Sequence, residues 1–279
     1  MVMRLPPPLV DCVALVSTIV AERVGGVNAA YFASVEQEWR TRVQQYLDAE
    51  GSPPTVTKWP AIEPRKGSFL NLYLHPGDNS AQGRILLALR QHDLLLCPAC
   101  GEQGRPQTLD HYLPKSTYPH FCVTPANLFP MCDACQQAKG SKVGDIRSPR
   151  YFIHPYYDVF VGEQVLSLEI RAPFEAPAFV FGAADDLEPA ETRLVESHIR
   201  ELGLTARYTV FFRNQHRRLL RLVDRMRASN QDVRATLETF RFDASHQSVN
   251  SWEHVFYEAV LENAALMDYL CNAQLPPLL

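Results

Sequence analysis

The sequence predicts an α+β protein that is predominantly helical, with a small module of two strands and one helix near its middle. Three observations predict this class. Apolar residues recur at three- and four-residue steps towards both ends of the chain, which is typical of amphipathic helices. Two Cys-x-x-Cys pairs mark the central stretch 97–140, and short β-prone runs broken by prolines follow it.

The composition is that of an ordinary globular protein of 279 residues, long enough to bury a core without covalent help. The net charge of −4 indicates no general attraction to nucleic acid, so such binding requires a local basic patch or a partner. Seven cysteines, in two close pairs and three single positions, are typical of a metal site in a reducing compartment. The apolar run 12–20 is shorter than the ~20 residues of a membrane span. We therefore expect a cytoplasmic protein with no membrane contact.

The N-terminal region, 1–92, is predicted to be helical. Gly25 and Gly51 are suitable stops for its first two helices, and a proline-rich loop separates these from two shorter ones. The predicted helices cover residues 9–24, 29–50, 69–74 and 81–91.

The central module, 93–150, is expected to form a hairpin followed by a helix that begins at Asp133. The last region, 151–279, is predicted to hold a β-hairpin and then helices. Pro189 fits a first helical position, and Gly203 fits a helix end. The predicted elements are strands over 165–171 and 178–181 and helices over 189–203, 205–228 and 251–272.

The paired cysteines predict a structural zinc site. Cys97-x-x-Cys100 and Cys132-x-x-Cys135 each present two sulfurs, and two such pairs complete the closed tetrahedral coordination of structural Zn²⁺. There are two alternatives. One is a redox-active Cys-x-x-Cys, which leaves the second pair unexplained, and the other is coincidence. A four-thiolate ion has no open position, so its role is to fold the segment.

Between the cysteine pairs, the sequence resembles a known family. The resemblance is carried by Asp110-His111-x-x-Pro114-x-Ser116, Asn127-Leu128, Pro130, Cys132-x-x-Cys135 and Lys139-Gly140. This pattern is similar to that of HNH endonucleases of the His-Me finger (ββα-metal) superfamily, in the subgroup clamped by paired cysteines. More widely, the run His154-Pro-Tyr-Tyr-Asp158 and the flanking helices resemble HNH proteins of bacterial anti-phage systems, such as the nuclease partner of a Septu or retron-linked ATPase.

The resemblance implies metal-dependent hydrolysis of nucleic-acid phosphodiester bonds. His111 would be the general base, since an unperturbed histidine titrates near working pH. Asp110 would bind catalytic Mg²⁺ or Mn²⁺, which prefer oxygen ligands, and Asn127 would orient His111 or its loop. Gln136 stands where the family usually has a His or Asn as second metal ligand. Three readings stay open: Gln136 binds the metal, Asp110 and water hold the metal without it, or the site is weak or inactive.

Basic residues near the module and on a later helix are candidate nucleic-acid contacts. Lys115, Lys139 and Lys142 surround the motif and are able to hold phosphates. Arg213, Arg217, Arg221 and Arg225 recur at four-residue intervals, as a stripe along a phosphate backbone would. The alternative is a solvated helix face or an interface with an acidic partner, and the net negative charge of the chain favours this alternative.

The residues together with this resemblance imply a zinc-stabilised HNH endonuclease that cleaves DNA, with RNA as the less favoured substrate, and that acts in anti-phage defence with an ATPase partner. Two alternatives compete with it. One is a nucleic-acid or protein binding module that cleaves poorly because of Gln136. The other is a structural zinc scaffold, which leaves Asp110, His111 and Asn127 unexplained.

Overall fold

The computed structural model describes residues 2–276, and about half of the protein is helical. The chain divides into two compact units. The first unit consists of residues 4–94 and 105–158. The second unit consists of the first residues up to Met3, a short segment over 95–104, and the chain from Val159 onward.

Four helices of the first unit precede its hairpin. Asp11 begins α1 by accepting hydrogen bonds from the backbone amides of Val13 and Ala14, as a helix N-cap does. Ser80 caps α4 in the same way. The bounds are Cys12–Ala21 for α1, Ala29–Asp48 for α2, Lys66–Leu74 for α3 and Ala81–Arg90 for α4. All four predicted helices are thus present, although α1 begins later than its apolar run.

An aromatic cluster forms the core between α2 and α3. The Phe69 ring lies 5.0 Å from Trp39 and 5.3 Å from Phe32, edge-on to both. Each of the three side chains is almost completely buried. The indole of Trp39 donates a hydrogen bond to the carbonyl of His120 at 2.7 Å, so this core also fixes the loop that leads to the candidate site.

The hairpin and helix of the first unit form within the stretch marked by the cysteine pairs. Strand β1, Thr108–His111, pairs antiparallel with β2, Leu128–Met131, and α5 follows directly over Asp133–Lys139. Asp110 lies opposite Phe129 in this register, and His111 lies opposite Leu128. The prediction of two strands followed by a helix in this stretch is confirmed.

Among its described residues, the second unit combines a second hairpin with five α-helices. Strands β3, Leu166–Arg171, and β4, Ala178–Ala183, pair antiparallel as predicted. Gly203, in the left-handed region at φ +62°, separates α6 from α7. The helices are α6 Pro189–Glu201, α7 Leu204–Ala228, α8 Val233–Ser245, α9 Trp252–Glu262 and α10 Ala264–Asn272.

Two features of these helices differ from the sequence prediction. Helix α8 was not predicted, because only Val233, Leu237 and Ala244 are buried among its residues and its apolar pattern is weak. The single helix expected over 251–272 is two helices. Asn263 ends α9 in an extended conformation and starts α10 by accepting from the amide of Leu266.

Within residues 2–276, none of the helices combines the length and the apolar character needed to cross a bilayer.

Candidate functional site

The four paired cysteines lie together. Their Sγ atoms are all within 4.8 Å of one another, and three of the four residues are buried, with Cys132 half-buried. Four sulfurs held tetrahedrally at about 2.3 Å from a zinc ion lie roughly 3.8 Å apart, so the observed spacing suits one such ion. The donor set, four soft thiolates, is also the one structural zinc prefers. The cysteines can hold a structural metal ion.

The backbone around the first cysteine pair is a tight turn. Cys97 accepts hydrogen bonds at its carbonyl from the amides of Cys100, at 3.2 Å, and Gly101, at 2.8 Å. Gly101 has φ +75°, and a Cβ there would lie 2.6 Å from the carbonyl oxygen of Asn250. Only glycine fits this conformation and this approach.

Side chains of the second unit brace the same turn. The hydroxyl of Tyr208 donates to the carbonyl of Cys100 at 2.7 Å, and the indole of Trp252 donates to the same oxygen. The amide of Val2 donates to the carbonyl of Pro98 at 2.8 Å. The first cysteine pair is therefore placed by residues far from it in sequence.

A cleft opens beside the hairpin and α5. Its volume is about 480 Å³, and it is lined by residues of β1, of the loop after β1 and of α5. The lining residues that carry chemistry are Asp110, His111, Lys115 and Gln136. Three residues that the sequence singled out for catalysis thus line one cleft, whereas Asn127 lies outside it.

His111 is held in a defined orientation. Its Nε2 lies 3.0 Å from the carbonyl oxygen of Cys122, and because a carbonyl only accepts, Nε2 carries the proton and donates. In the neutral ring, Nδ1 then keeps its lone pair. Burial, together with the positive charges of Lys115, Lys139 and Arg90, lowers the pKa of His111 to about 3. The sequence expectation took the unperturbed value near neutrality, but in the folded protein the ring is a neutral acceptor throughout the physiological range.

Asp110 presents an oxygen that no group of the described residues satisfies by hydrogen bonding. Its Oδ2 lies 3.0 Å from Nζ of Lys139, at ion-pair distance, yet the geometry is not that of a hydrogen bond. Its Oδ1 accepts a long hydrogen bond of 3.4 Å from Nε2 of Gln136. A buried carboxylate with one oxygen in an ion pair and the other in a long hydrogen bond offers the kind of ligand that a hard cation such as Mg²⁺ or Mn²⁺ prefers.

Lys139 is buried beneath the hairpin. Its ammonium donates to the carbonyl of His111 at 2.6 Å and pairs with Asp110. These contacts fix the β1 end against α5 through a charge inside the protein. Lys115, half-buried, lies in the cleft with its ammonium 5.4 Å from the centre of the Tyr73 ring. Lys142 is exposed just beyond α5.

Asn127 organises the loop between the strands. Its side-chain oxygen accepts from the amide of Leu113 at 2.7 Å, and its side-chain nitrogen donates to the carbonyls of Leu113 and Phe121. These three bonds close the loop that supplies the Cys122 carbonyl to His111. The hydrogen bonds of the Asn127 side chain go to the backbone of the loop and not to the imidazole, so Asn127 acts on the loop.

Two residues near His111 had no signal in the sequence. The Tyr73 ring lies edge-on to the imidazole at 4.4 Å, and its hydroxyl donates to the carbonyl of Leu109 at 2.8 Å. Arg90 lies 5.6 Å from the centre of the Tyr73 ring and contributes to the lowered pKa of His111. Both belong to helices α3 and α4. An exposed arginine at a helix end and a tyrosine in an apolar run are too common in sequences to indicate a site.

The arginine stripe is exposed on α7. Arg213, Arg217 and Arg221 are all accessible to solvent, and none has an ion pair or hydrogen bond within the part of the chain that the structure describes. The same holds for Arg225. Asp224 is the one acidic residue on this helix. The stripe is therefore a positively charged surface, because no acidic side chain among the described residues pairs with these arginines.

Part of the chain is similar to part of a known phage protein. Over 70 residues the chain is 40% identical to Protein ea31 of Escherichia phage lambda, and the match covers 24% of this chain and 24% of that protein. The chain thus spans about a quarter of the length of the curated relative it matches. No model of a protein family matches the chain. No solved structure matches it either.

Proposed function

We propose that this protein is a metal-dependent endonuclease of the HNH type that hydrolyses phosphodiester bonds of nucleic acid, with DNA as the favoured substrate. One observation carries the proposal: a neutral, oriented His111 and the unsatisfied Oδ2 of Asp110 line the same cleft as Gln136. A base and a cation site side by side are the two requirements of hydrolysis at phosphorus.

His111 is the general base in this proposal. Its Nδ1 lone pair takes the proton of the attacking water, while the Nε2 bond to the Cys122 carbonyl holds the ring and stabilises the imidazolium that results. Tyr73 limits the rotation of the ring. Lys115 lies in the cleft, where its charge is available to a phosphate oxygen.

Asp110 and Gln136 would hold Mg²⁺ or Mn²⁺, with the Gln136 amide turned so that its oxygen faces the ion. When bound, the metal supplies positive charge to the phosphate and the leaving oxygen. When no metal is bound, the ammonium of Lys139 balances the negative charge of Asp110. The cysteine cluster would hold a separate zinc ion, which stabilises the fold and takes no part in chemistry.

Plasmid cleavage tests the proposal. Purified protein with Mg²⁺ or Mn²⁺ is expected to nick supercoiled DNA, and His111→Ala is expected to lower the rate at least ~100-fold. His75→Ala is the matched control, because His75 is exposed at the end of α3. Equal rates for the wild type and His111→Ala, or no metal-dependent cleavage of duplex, single-stranded DNA or RNA, would contradict the proposal.

A binding module is the second candidate, and the Gln136 contact favours it. The amide donates to Oδ1 of Asp110 at 3.4 Å, so in this arrangement it presents its N–H group, and not its oxygen, to the carboxylate that would bind a metal. The nuclease predicts that Gln136→Ala lowers cleavage about 10- to 100-fold, as loss of a metal-site residue does, with exposed Gln37→Ala as control. The binding module predicts binding without cleavage in the wild type, and cleavage gained in Gln136→His.

We further propose that the protein is an anti-phage effector that acts with an ATPase partner. The support is the sequence resemblance to HNH proteins of such systems. Cleavage that appears only when a purified ATPase encoded beside it is added would support this role. Equal cleavage with and without that ATPase would contradict the need for a partner.

A further inference from the structure

A second concave site lies in the second unit, at the turn between β3 and β4. Its volume is about 370 Å³, which is within the range of small-ligand sites. The turn forms one wall and α7 forms the other. We call it the arginine pocket, and its lining includes Glu175, Pro177, Phe179, Arg213, His216 and Arg217.

Two arginines supply the charge of this pocket. Arg213 and Arg217 are one helical turn apart on α7, so their side chains leave the same face about 6 Å apart along the axis. Neither has an ion pair or hydrogen bond among residues 2–276, and the carboxylate of Glu175 on the opposite wall pairs with neither. Guanidinium groups in such a pair bind phosphate oxygens in a bidentate manner.

His216 lies between the two arginines in the sequence of α7 and lines the same pocket. The side chain is 2% exposed, and its Nε2 donates to the carbonyl of Phe174 at 2.7 Å, which fixes the turn onto α7. The other nitrogen, Nδ1, is buried and has no hydrogen-bond partner among the described residues. A buried polar atom left without a partner beside a cavity is typical of a site that a ligand completes.

An aromatic ring and a carboxylate complete the lining. Phe179 is half-buried, with its ring centre 6.2 Å from that of His216, and it offers a surface on which a base can stack. Glu175 is exposed and accepts hydrogen bonds only, so it suits the hydroxyl or amino groups of a nucleoside. It would repel a bare anion.

We propose that the arginine pocket binds a nucleotide through its terminal phosphate. The phosphate lies between Arg213 and Arg217, the base stacks on Phe179, and Glu175 accepts from a sugar hydroxyl or a base amino group. A free mononucleotide and the phosphorylated 5′ end of a strand share this chemistry. The site does not depend on cleavage at Asp110 and His111.

Calorimetric titration of the full chain tests the pocket. We expect AMP, or an oligonucleotide with a 5′ phosphate, to bind at least ~10-fold more tightly than adenosine or the same oligonucleotide with a 5′ hydroxyl, since a charged pair of this kind is worth about one order of magnitude or more. Tight binding of AMP identifies a free nucleotide as ligand, and binding of the phosphorylated oligonucleotide alone identifies a strand end. No preference for the phosphate in either pair would overturn the proposal.

A matched pair of double variants locates the site. Arg213→Ala with Arg217→Ala should weaken binding at least ~10-fold, whereas Arg221→Ala with Arg225→Ala, the same charge change on the same helix outside the pocket, should alter it less than ~2-fold. All four side chains are exposed, so both variants should fold. If both double variants lost affinity equally, the ligand would be attracted to the whole positive face of α7, and the assignment to the arginine pocket would be overturned.

Glu175→Ala separates a nucleotide from a simple anion. Removing the carboxylate should strengthen the binding of inorganic phosphate, which is no longer repelled, while AMP, which loses a hydrogen-bond acceptor for its sugar or base, should bind more weakly. Stronger binding of both probes would overturn the assignment of the pocket to a nucleotide.

Discussion

His111 and His120 are both buried, but their rings are held differently. His111 donates from Nε2 to a carbonyl and keeps a lone pair for chemistry. Among the described residues, His120 has no hydrogen-bond partner at either ring nitrogen. Its ring packs edge-on to Trp59 at 5.5 Å and against Phe121 at 4.0 Å. The first arrangement leaves Nδ1 able to accept a proton, and the second is that of a core side chain.

His120 makes the stability of the protein depend on pH. Burial, with a smaller effect of Arg42, lowers the pKa of His120 to about 3 in the folded protein, whereas an unfolded chain has a value near 6.5. Below about pH 6.5 the unfolded state therefore binds a proton that the folded state does not, and stability falls as the pH decreases towards 3.

We predict that His120→Phe removes the contribution of His120 to this dependence. The ring has no hydrogen bond to lose among the described residues, so between pH 8 and pH 5 the variant should lose about 2 kcal/mol less free energy of unfolding than the wild type loses. Urea unfolding at both pH values measures it. His75→Phe, at an exposed position, should leave the pH profile unchanged. A parallel profile for His120→Phe and the wild type would contradict the role assigned to burial.

At the scale of the elements, the loop between β1 and β2 is held by one side chain. Asn127 is fully buried and makes three hydrogen bonds to the backbone of Leu113 and Phe121. Its loop also carries Cys122, whose carbonyl orients His111. The loop conformation and the orientation of the imidazole therefore depend on the same residue.

We predict that Asn127→Ala lowers the free energy of unfolding by about 2–4 kcal/mol, because buried backbone groups lose their partners. Chemical denaturation measures the change. Asn214→Ala, at an exposed position of α7, should alter stability by no more than about 0.5 kcal/mol. A loss in Asn127→Ala as small as that of the control would mean that the loop is held by other contacts.

The sequence predicted what local pattern and spacing determine. The spacing of the two cysteine pairs predicted that the four thiols lie together. The order of Asp110 and Asn127 along the chain predicted two strands there. Tyr73 and Arg90 could not be predicted, since they reach His111 only through the packing of α3 and α4. The long Gln136–Asp110 contact depends on how α5 meets β1, a tertiary distance that no residue pattern contains.

At the scale of the whole molecule, the cysteine cluster predicts a metal content. We expect about one zinc ion per chain under reducing conditions, and chelation should lower the melting temperature by roughly 10 °C or more, since such sites contribute several kcal/mol to folding. Cys135→Ser should lose the ion. Cys271→Ser, half-buried on α10, should keep it. Zinc that stays with Cys135→Ser would contradict the four-thiolate site.

The braced turn at Cys97–Gly101 also bears on how the protein is made. Its carbonyl at Cys100 receives hydrogen bonds from Tyr208 and Trp252, the latter 152 residues downstream. At about 5–20 residues per second, the ribosome needs roughly 8–30 s to synthesise that interval. All residues of the first unit have been synthesised once Asp158 has emerged, but the turn lacks its hydrogen-bond donors until Tyr208 and Trp252 have been made. For most of its synthesis, a nascent chain therefore carries the first cysteine pair without these hydrogen bonds. The pair is most exposed to oxidation and to binding of the wrong metal during that interval.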